Sequence, residues 1–250
     1  MRNSNALRKR IIDVMDVARQ GHIRSAFSCL EMARVVYEVM KPEDKFILSK
    51  GHGCLAQYVL LNEKGVISDK ELFDFCKFGA VLGGHPSAKI PGVEIGTGSL
   101  GHGLSVGIGY ALADRSRNVY VLLGDGECQE GSIWEAAMCA SKHKLSNLIA
   151  LIDYNEQQSY GTTHEVLELE PLAEKWNSFG FRVWEGDGHD IEKLRSALLM
   201  ASVLPRLPVV LICHTIKGKG IKLTEEDLRW HHKVDITDEQ IKSLYGGLNA

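Results

Sequence analysis

Residues 122 to 132 read LLGDGECQEGS, an apolar run that ends in an aspartate between two glycines. Gly124 and Gly126 allow the backbone to turn sharply and approach a ligand closely, and Asp125 stands where a strand over 119–124 would end. One strand later, LIDYN sets Asn155 at the equivalent position. A carboxylate and an amide carbonyl at neighbouring strand ends are hard oxygen donors. They suit Mg2+, which takes one or two carboxylates and completes its octahedron with substrate phosphates and water. A bound diphosphate follows from that chemistry. Gly-Asp-Gly alone is a common turn; a preceding strand and Asn155 thirty positions later set this instance apart.

The second group of chemistry-bearing residues is the histidines, ten in all. A lone histidine is more often structural than catalytic. Imidazole nevertheless donates and accepts protons near neutrality, so histidines gathered at a ligand site suit proton transfer. His22 in GH, His52 in SKGH, His85 in GHP and the His231–His232 pair in WHH carry the most distinctive contexts. His143, His164, His189 and His214 read as structural, with His189 in DGHD shaping a loop or an interface.

Positioning these groups requires a parallel sheet. Four short apolar runs, VYVLLG (119–124), NLIALID (147–153), FRVWEG (181–186) and VVLICHT (209–215), alternate with helical stretches. Near-continuous apolar strands separated by helices predict an α/β fold whose sheet is covered by helices on both faces. Upstream, Leu7, Ile11, Val14 and Ala18 recur at helical spacing and predict a helix over 5–20. Ser28 with Glu31 three residues on reads as a capping box opening a helix over 28–40, and a third helix begins near Gly53. The glycine-rich stretch over 79–109 suits backbone that packs closely or needs positive φ, and it runs into a small-residue helix through Ala111 and Ala113.

Size and charge exclude other classes. The 250 residues are 44% hydrophobic and read as one domain over 1–250, without repeat, linker or low-complexity segment. A net charge of −3 gives no basic excess for nucleic acid. MRNSNALRKR lacks the apolar stretch of a signal peptide, and no apolar run reaches membrane-spanning length, so a cytoplasmic protein is expected. Six cysteines, at 29, 54, 76, 128, 139 and 213, include no Cys-x-x-Cys pair and read as reduced thiols.

The GDG and the asparagine about thirty residues later resemble the thiamine diphosphate signature, and the surrounding segments resemble transketolase. FILSKGHG (46–53), LGGHP (82–86), PGVEIGTGSLGHGLSVGIGYALA (91–113), GDGECQEGSIWEAAMCA (124–140), DGHD (187–190), KGKG (217–220) and WHH (230–232) match in order. The similarity spans nearly the whole chain and concerns the diphosphate-binding domain of that family.

The resemblance implies thiamine diphosphate with Mg2+, for which Ca2+ or Mn2+ substitutes, held by Asp125, Asn155 and the backbone carbonyl of Gln157. It places His52, Gly98, Leu100, Gly101, Gly124, Gly126 and Glu127 at the cofactor, with the Gly126 amide given to the diphosphate. It sets His22 and His231 at the donor sugar's C3 hydroxyl, His231 preferred over His232, and His85 at the C1 hydroxyl. The family's activating glutamate lies in a pyrimidine-binding domain; Glu94, Glu127, Glu130 and Glu135 do not replace it. A partner chain carrying that domain is implied, in an α2β2 hetero-oligomer that works on sugars or sugar phosphates. Two departures appear: His102 stands where Gly-Gln-Gly is usual, and Arg24 follows GH where a glycine is usual. Arg24 would read a substrate phosphate or carboxylate, or else be a tolerated surface change. Both put the usual pentose phosphates in doubt. The alternatives are a transketolase-like subunit acting on a non-standard sugar in a specialised biosynthetic pathway, which the two departures make plausible, a 2-oxo acid dehydrogenase α-type subunit, which SKGH, GHP and KGKG oppose, and a non-catalytic binding subunit, which the retained motif residues oppose.

Overall fold

The computed structural model describes residues 2–203 and 206–248. In chain order the elements are α1 (Ser4–Ala18), α2 (Ile23–Val39), β1 (Lys45–Leu48), α3 (Cys54–Glu63), α4 (Asp69–Phe73), α5 (Gly103–Ala113), β2 (Val119–Gly124), α6 (Gly131–Lys142), β3 (Leu148–Tyr154), α7 (Thr163–Val166), α8 (Leu172–Ser178), β4 (Arg182–Asp187), α9 (Ile191–Val203), β5 (Val209–His214), α10 (Lys222–Glu226) and α11 (Asp238–Leu248). The strands form one sheet in the order β1-β2-β3-β5-β4, and every pairing is parallel.

Strand residues alternate between two cores. Phe46, Leu48, Tyr120, Leu122, Ile149, Leu151 and Leu211 face a cluster built with α1, α2, α3, α9 and α11. Ile47, Val121, Leu123, Ala150, Ile152 and Ile212 face a second cluster that includes residues of α5, α6 and α8. Both faces are therefore covered, as continuous apolar strands require. β4 departs from that expectation. It is the edge strand, paired on one side with β5, and Arg182, Glu185 and Asp187 are exposed.

Two sequence expectations are corrected. The four-residue β1 was not among the predicted strands, because KFIL is too short for its periodicity to stand out. The helix expected over 28–40 begins at Ile23, with His22 at its cap. Ser28 and Glu31 are not a capping pair. They lie inside the helix and turn inward, Ser28 Oγ donating to Asp153 at 2.7 Å and Glu31 pairing with Arg8. The side chains that would have capped a helix end here satisfy buried charges.

The sheet order brings the carboxyl ends of β1, β2, β3 and β5 side by side. Gly124 pairs in register with Asp153, and Asp153 with Cys213. The glycine-rich stretch presses onto this edge: a Cβ at Gly103 would lie 2.2 Å from Ser49 Oγ, and Gly101 holds φ +84 with its Cβ position 2.3 Å from Ser132 Oγ. Either glycine replaced by alanine would push the loop off the strand ends.

Candidate active site

At that edge lies a cavity of about 250 Å3, lined among others by His22, Lys50, His52, Gly98, Leu100, Gly124, Asp125, Gly126, Glu127, Asn155, Gln157, Lys217 and His231. Most of the residues singled out in the sequence therefore meet here. Gly101 stands just behind the wall, its N–H donating to Glu127 Oε1 at 2.8 Å. His85 stands at the rim, its ring centroid 5.7 Å from that of His22.

The base is made by strand ends. Asp125 is buried, and each of its oxygens is occupied: Oδ1 accepts from Gly126 N at 2.7 Å and Oδ2 from Asn155 N at 2.9 Å. The amide of Gly126, expected at a diphosphate, thus donates to Asp125 in this state. Asn155 Oδ1 accepts from Gln157 N at 3.2 Å, which closes the turn after β3. Glu127 is a brace: it accepts from Ser49 Oγ, from Gly101 N and from Gly124 N at 3.1 Å, tying β1, the 98–103 loop and the Gly-Asp-Gly turn together.

Beneath them Asp153, fully buried, accepts from Lys50 Nζ, Ser28 Oγ and Thr215 Oγ1. Burial alone would pull the Lys50 ammonium down, but the adjoining Asp153 raises it to about 12. Burial pushes the Asp125 carboxyl up to about 6, and the neighbouring Asp153 adds to the rise. Lys217, on the loop after β5, is drawn down to about 8 by burial and by Lys50. Its Nζ donates to the backbone carbonyl of Gln157.

Loops make the rim. His22 caps α2, His52 sits in a turn of 3-10 helix (Gly51–Gly53), and His231 follows another (Leu228–Trp230). Gly21 and Lys233 exchange hydrogen bonds of 2.9 and 3.1 Å, and this antiparallel bridge sets the WHH segment against His22. The His231 ring lies 6.1 Å from those of His22 and His52. His232 is exposed and stacks on His22 at 4.3 Å, so His231 lines the cavity and His232 covers its mouth. Burial first, then the other imidazoles, drives His22 down to about 3. His231 is lowered to about 4 by burial and Lys217, and His52 falls well below its usual value from burial and Lys50. Burial and His232 lower His85. These rings are neutral near pH 7. As neutral rings they add no cation beside the buried ammonium groups, and each has one nitrogen that can donate and one that can accept a hydrogen bond at a substrate hydroxyl.

Of the two readings of Arg24 made from the sequence, the surface change is excluded, because the side chain is fully buried. Its Nε and Nη2 donate to the carbonyls of Thr224 and Glu225, at 2.6 and 2.9 Å, and to Gln157 Oε1 at 2.6 Å, while Nη1 is buried with no hydrogen-bond partner among the described residues. It fastens α10 to the turn after β3. His102 is exposed, with Nδ1 3.2 Å from the Leu100 carbonyl. His189 does shape a loop: Nδ1 meets Glu31 at 3.1 Å, and Nε2 accepts from Ile216 N at 2.9 Å. Sequence reasoning assigned nothing to Lys50, Asp153 or Lys217. The signal was present, since an aspartate inside a buried strand requires a cation, and SKGHG and KGKG supply two.

The donor chemistry fits a hard divalent cation. Asp125, Asn155 and the Gln157 carbonyl bring three oxygens to one cavity, with room left for phosphate and water. Among the described residues no group of three or more His, Cys, Asp and Glu is placed to hold a metal ion.

Fold and cavity together define an α/β protein that takes its ligand at the carboxyl edge of a parallel sheet. Residues 1–247 match the family described as "Transketolase, thiamine diphosphate binding domain". The chain is 42% identical over 246 residues to one of the subunits of an apulose-4-phosphate transketolase of Phocaeicola vulgatus, covering 93% of this chain and 88% of that protein. It is 37% identical to a 6-deoxy-6-sulfo-D-fructose transketolase subunit of a Clostridium species, covering 98% of this chain and 94% of that protein. The solved transketolase of Campylobacter jejuni superposes with a TM-score of 0.90 at 28% identity, over 98% of this chain and 42% of that one. The chain belongs to the transketolase family, in its thiamine diphosphate-binding domain.

Proposed function

We propose that this chain is the diphosphate-binding subunit of a two-chain transketolase, moving a two-carbon ketol unit from a ketose donor to an aldose acceptor. The observation that carries the reading is the meeting of Asp125, Asn155 and Gln157 with His22, His52 and His231 in one cavity. Asp125, Asn155 and the Gln157 carbonyl hold Mg2+, with Ca2+ or Mn2+ able to replace it, and the cation anchors thiamine diphosphate. Gly98, Leu100, Gly101, Gly124, Gly126 and Glu127 shape the cofactor's bed. When bound, the cofactor supplies the carbanion that cleaves the ketose next to its carbonyl. His22 and His231 hold and move the proton at the C3 hydroxyl, His85 positions the C1 hydroxyl, and His52 stands at the diphosphate.

The two-chain arrangement is supported by relatives of similar length that are named as subunits, where full-length transketolases are more than twice as long. The partner would carry the pyrimidine-binding domain and its activating glutamate, in an α2β2 assembly in the cytoplasm. Among the described residues no helix is long and apolar enough to cross a membrane. A specialised sugar is favoured over the common pentose phosphates, because relatives named for apulose 4-phosphate and a sulfonated fructose are more similar to this chain than human transketolase at 32% identity. The test is a two-carbon transfer assay from a ketose donor. The chain alone is expected to be inactive and to gain turnover when a pyrimidine-domain chain is added. Full turnover by this chain alone would refute the two-chain reading.

A further inference from the structure

Lys217 is 4% exposed, lines the cavity, and donates to the Gln157 carbonyl. That carbonyl is one of the three oxygens assigned to the cation. The lysine's direction is fixed by its loop. Gly218 N donates to the Arg24 carbonyl at 3.1 Å, Thr224 Oγ1 donates to the Gly218 carbonyl at 2.7 Å, and Gly218 holds φ +88 with no room for a Cβ beside the Thr224 carbonyl. The ammonium group is therefore delivered to the place where a cation would find its backbone ligand.

We propose that Lys217 competes with a divalent cation for the Gln157 carbonyl, and that its ammonium must leave that carbonyl before the cation can bind. This rests on the assignment of Asp125, Asn155 and Gln157 as the ligands. Charge makes the consequence specific. Around the base, Asp125, Asp153 and Glu127 face Lys50, Lys217 and Arg24, all buried. Three carboxylates against three cations balance, with no deficit for a further cation to fill. A divalent ion arriving by itself adds two positive charges to a desolvated, balanced pocket and competes with an ammonium already in place. A diphosphate arriving with it supplies the anion that compensates both the ion and the displaced lysine. Lys217 thereby makes cation binding conditional on diphosphate. A lysine that merely tethered two loops would have the opposite signature, since its loss would loosen the Gln157 turn and weaken the cation site.

Mn2+ serves as the probe, its free fraction read by electron paramagnetic resonance on folded, cofactor-free protein. In Lys217→Met, Mn2+ is expected to bind roughly tenfold more tightly than in the wild type, because a competing like charge has gone. The gain in Mn2+ affinity on adding thiamine diphosphate is expected to shrink in the same variant. Lys217→Arg keeps the charge and is expected to remain within about twofold of the wild type. Unchanged or weaker Mn2+ binding in Lys217→Met, or tightening in Lys217→Arg, overturns the proposal. The wild-type protein gives an independent reading. Reductive methylation of Lys217, followed by peptide mass spectrometry, is expected to change when Mn2+ and thiamine diphosphate are added together, and constant labelling overturns the proposal. Asp125→Asn separates the two levels: Mn2+ binding that survives it refutes the ligand assignment itself, not only the part played by Lys217.

Discussion

At the base of the cavity carboxylates and ammonium groups are buried together; at its rim His22, His52, His85, His231 and His232 meet, and none of them forms an ion pair with a carboxylate among the described residues. The base keeps its charges by pairing, as in Lys50 with Asp153. Burial without a counter-charge keeps His22, His52, His85 and His231 neutral at the rim, and His231 Nδ1 is buried with no hydrogen-bond partner among the described residues. Strand ends and the residues directly after them build most of the base, whereas turns and loops from distant parts of the chain build the rim. Under the proposed function, ionic anchoring falls to the sheet and proton handling to groups free of fixed ionic partners.

The contrast can be broken most severely at Asp125. Asp125→Ala removes the only charged ligand, and Mg2+-dependent thiamine diphosphate binding should weaken by more than about a hundredfold in calorimetric titration. Retained affinity would show that the base does not anchor a cation. Lys50→Met leaves Asp153 buried without its partner, and should cost about 3–5 kcal/mol in urea unfolding. A loss below about 1 kcal/mol would place that pair with exposed salt bridges instead.

The rim should respond in rate and not in stability. With the partner chain present, His22→Ala and His231→Ala should each lower kcat about a hundredfold while the protein stays folded. His52→Ala should instead raise the cofactor concentration at half activity about tenfold. Equal effects of all three on cofactor affinity alone would dissolve the division of roles.

The smallest effect expected is one of pH on the cofactor-free protein. His22 and His231 are depressed to about 3 and about 4, and His52 is also lowered. Below the ordinary value near 6.5 the unfolded chain takes up protons at these positions and the folded chain does not. Stability should therefore fall as pH drops from 6.5 towards 4. Asp125, raised to about 6, acts in the opposite sense, since the folded state binds its proton first. Counting His85, which is also lowered, and Glu127, which is also raised, four imidazoles oppose two carboxyls, so the midpoint of thermal unfolding should decline, and more gently in His22→Phe. A midpoint that rises over this range would mean that the imidazoles are not held neutral.

The sequence disclosed the base's ligands better than its supports. Gly-Asp-Gly and Asn155 are legible because strand ends announce themselves by a change from apolar to polar residues. The supports are legible only as pairs: Asp153, Lys50, Ser28 and Thr215 come from four separate segments, and no local pattern records that they touch. Ser28 shows the hazard, since its local pattern was that of a helix cap while its partner lay 125 residues away. β1 escaped notice because four residues carry too little periodicity. β4 was read as a buried strand because FRVWEG is apolar enough, although an edge needs only one covered side. Arg24 was noticed as a departure but misplaced, because burial is a property of the fold and is not marked on the residue.

The bridge between Gly21 and Lys233 has a consequence for how the molecule is made. Arg8 with Lys219 and Arg24 with Thr224, separated by 211 and 200 residues, lie in the same seam. Contacts so remote in sequence close some of the large loops in the chain, and closing large loops is slow. During synthesis, β2 and β3 emerge and can pair while the WHH segment has yet to be translated. A growing chain therefore assembles the strand ends that carry Asp125 and Asn155 long before His231 reaches His22. The base of the cavity precedes its rim in the protein's own biogenesis, and the seam is the step that joins them.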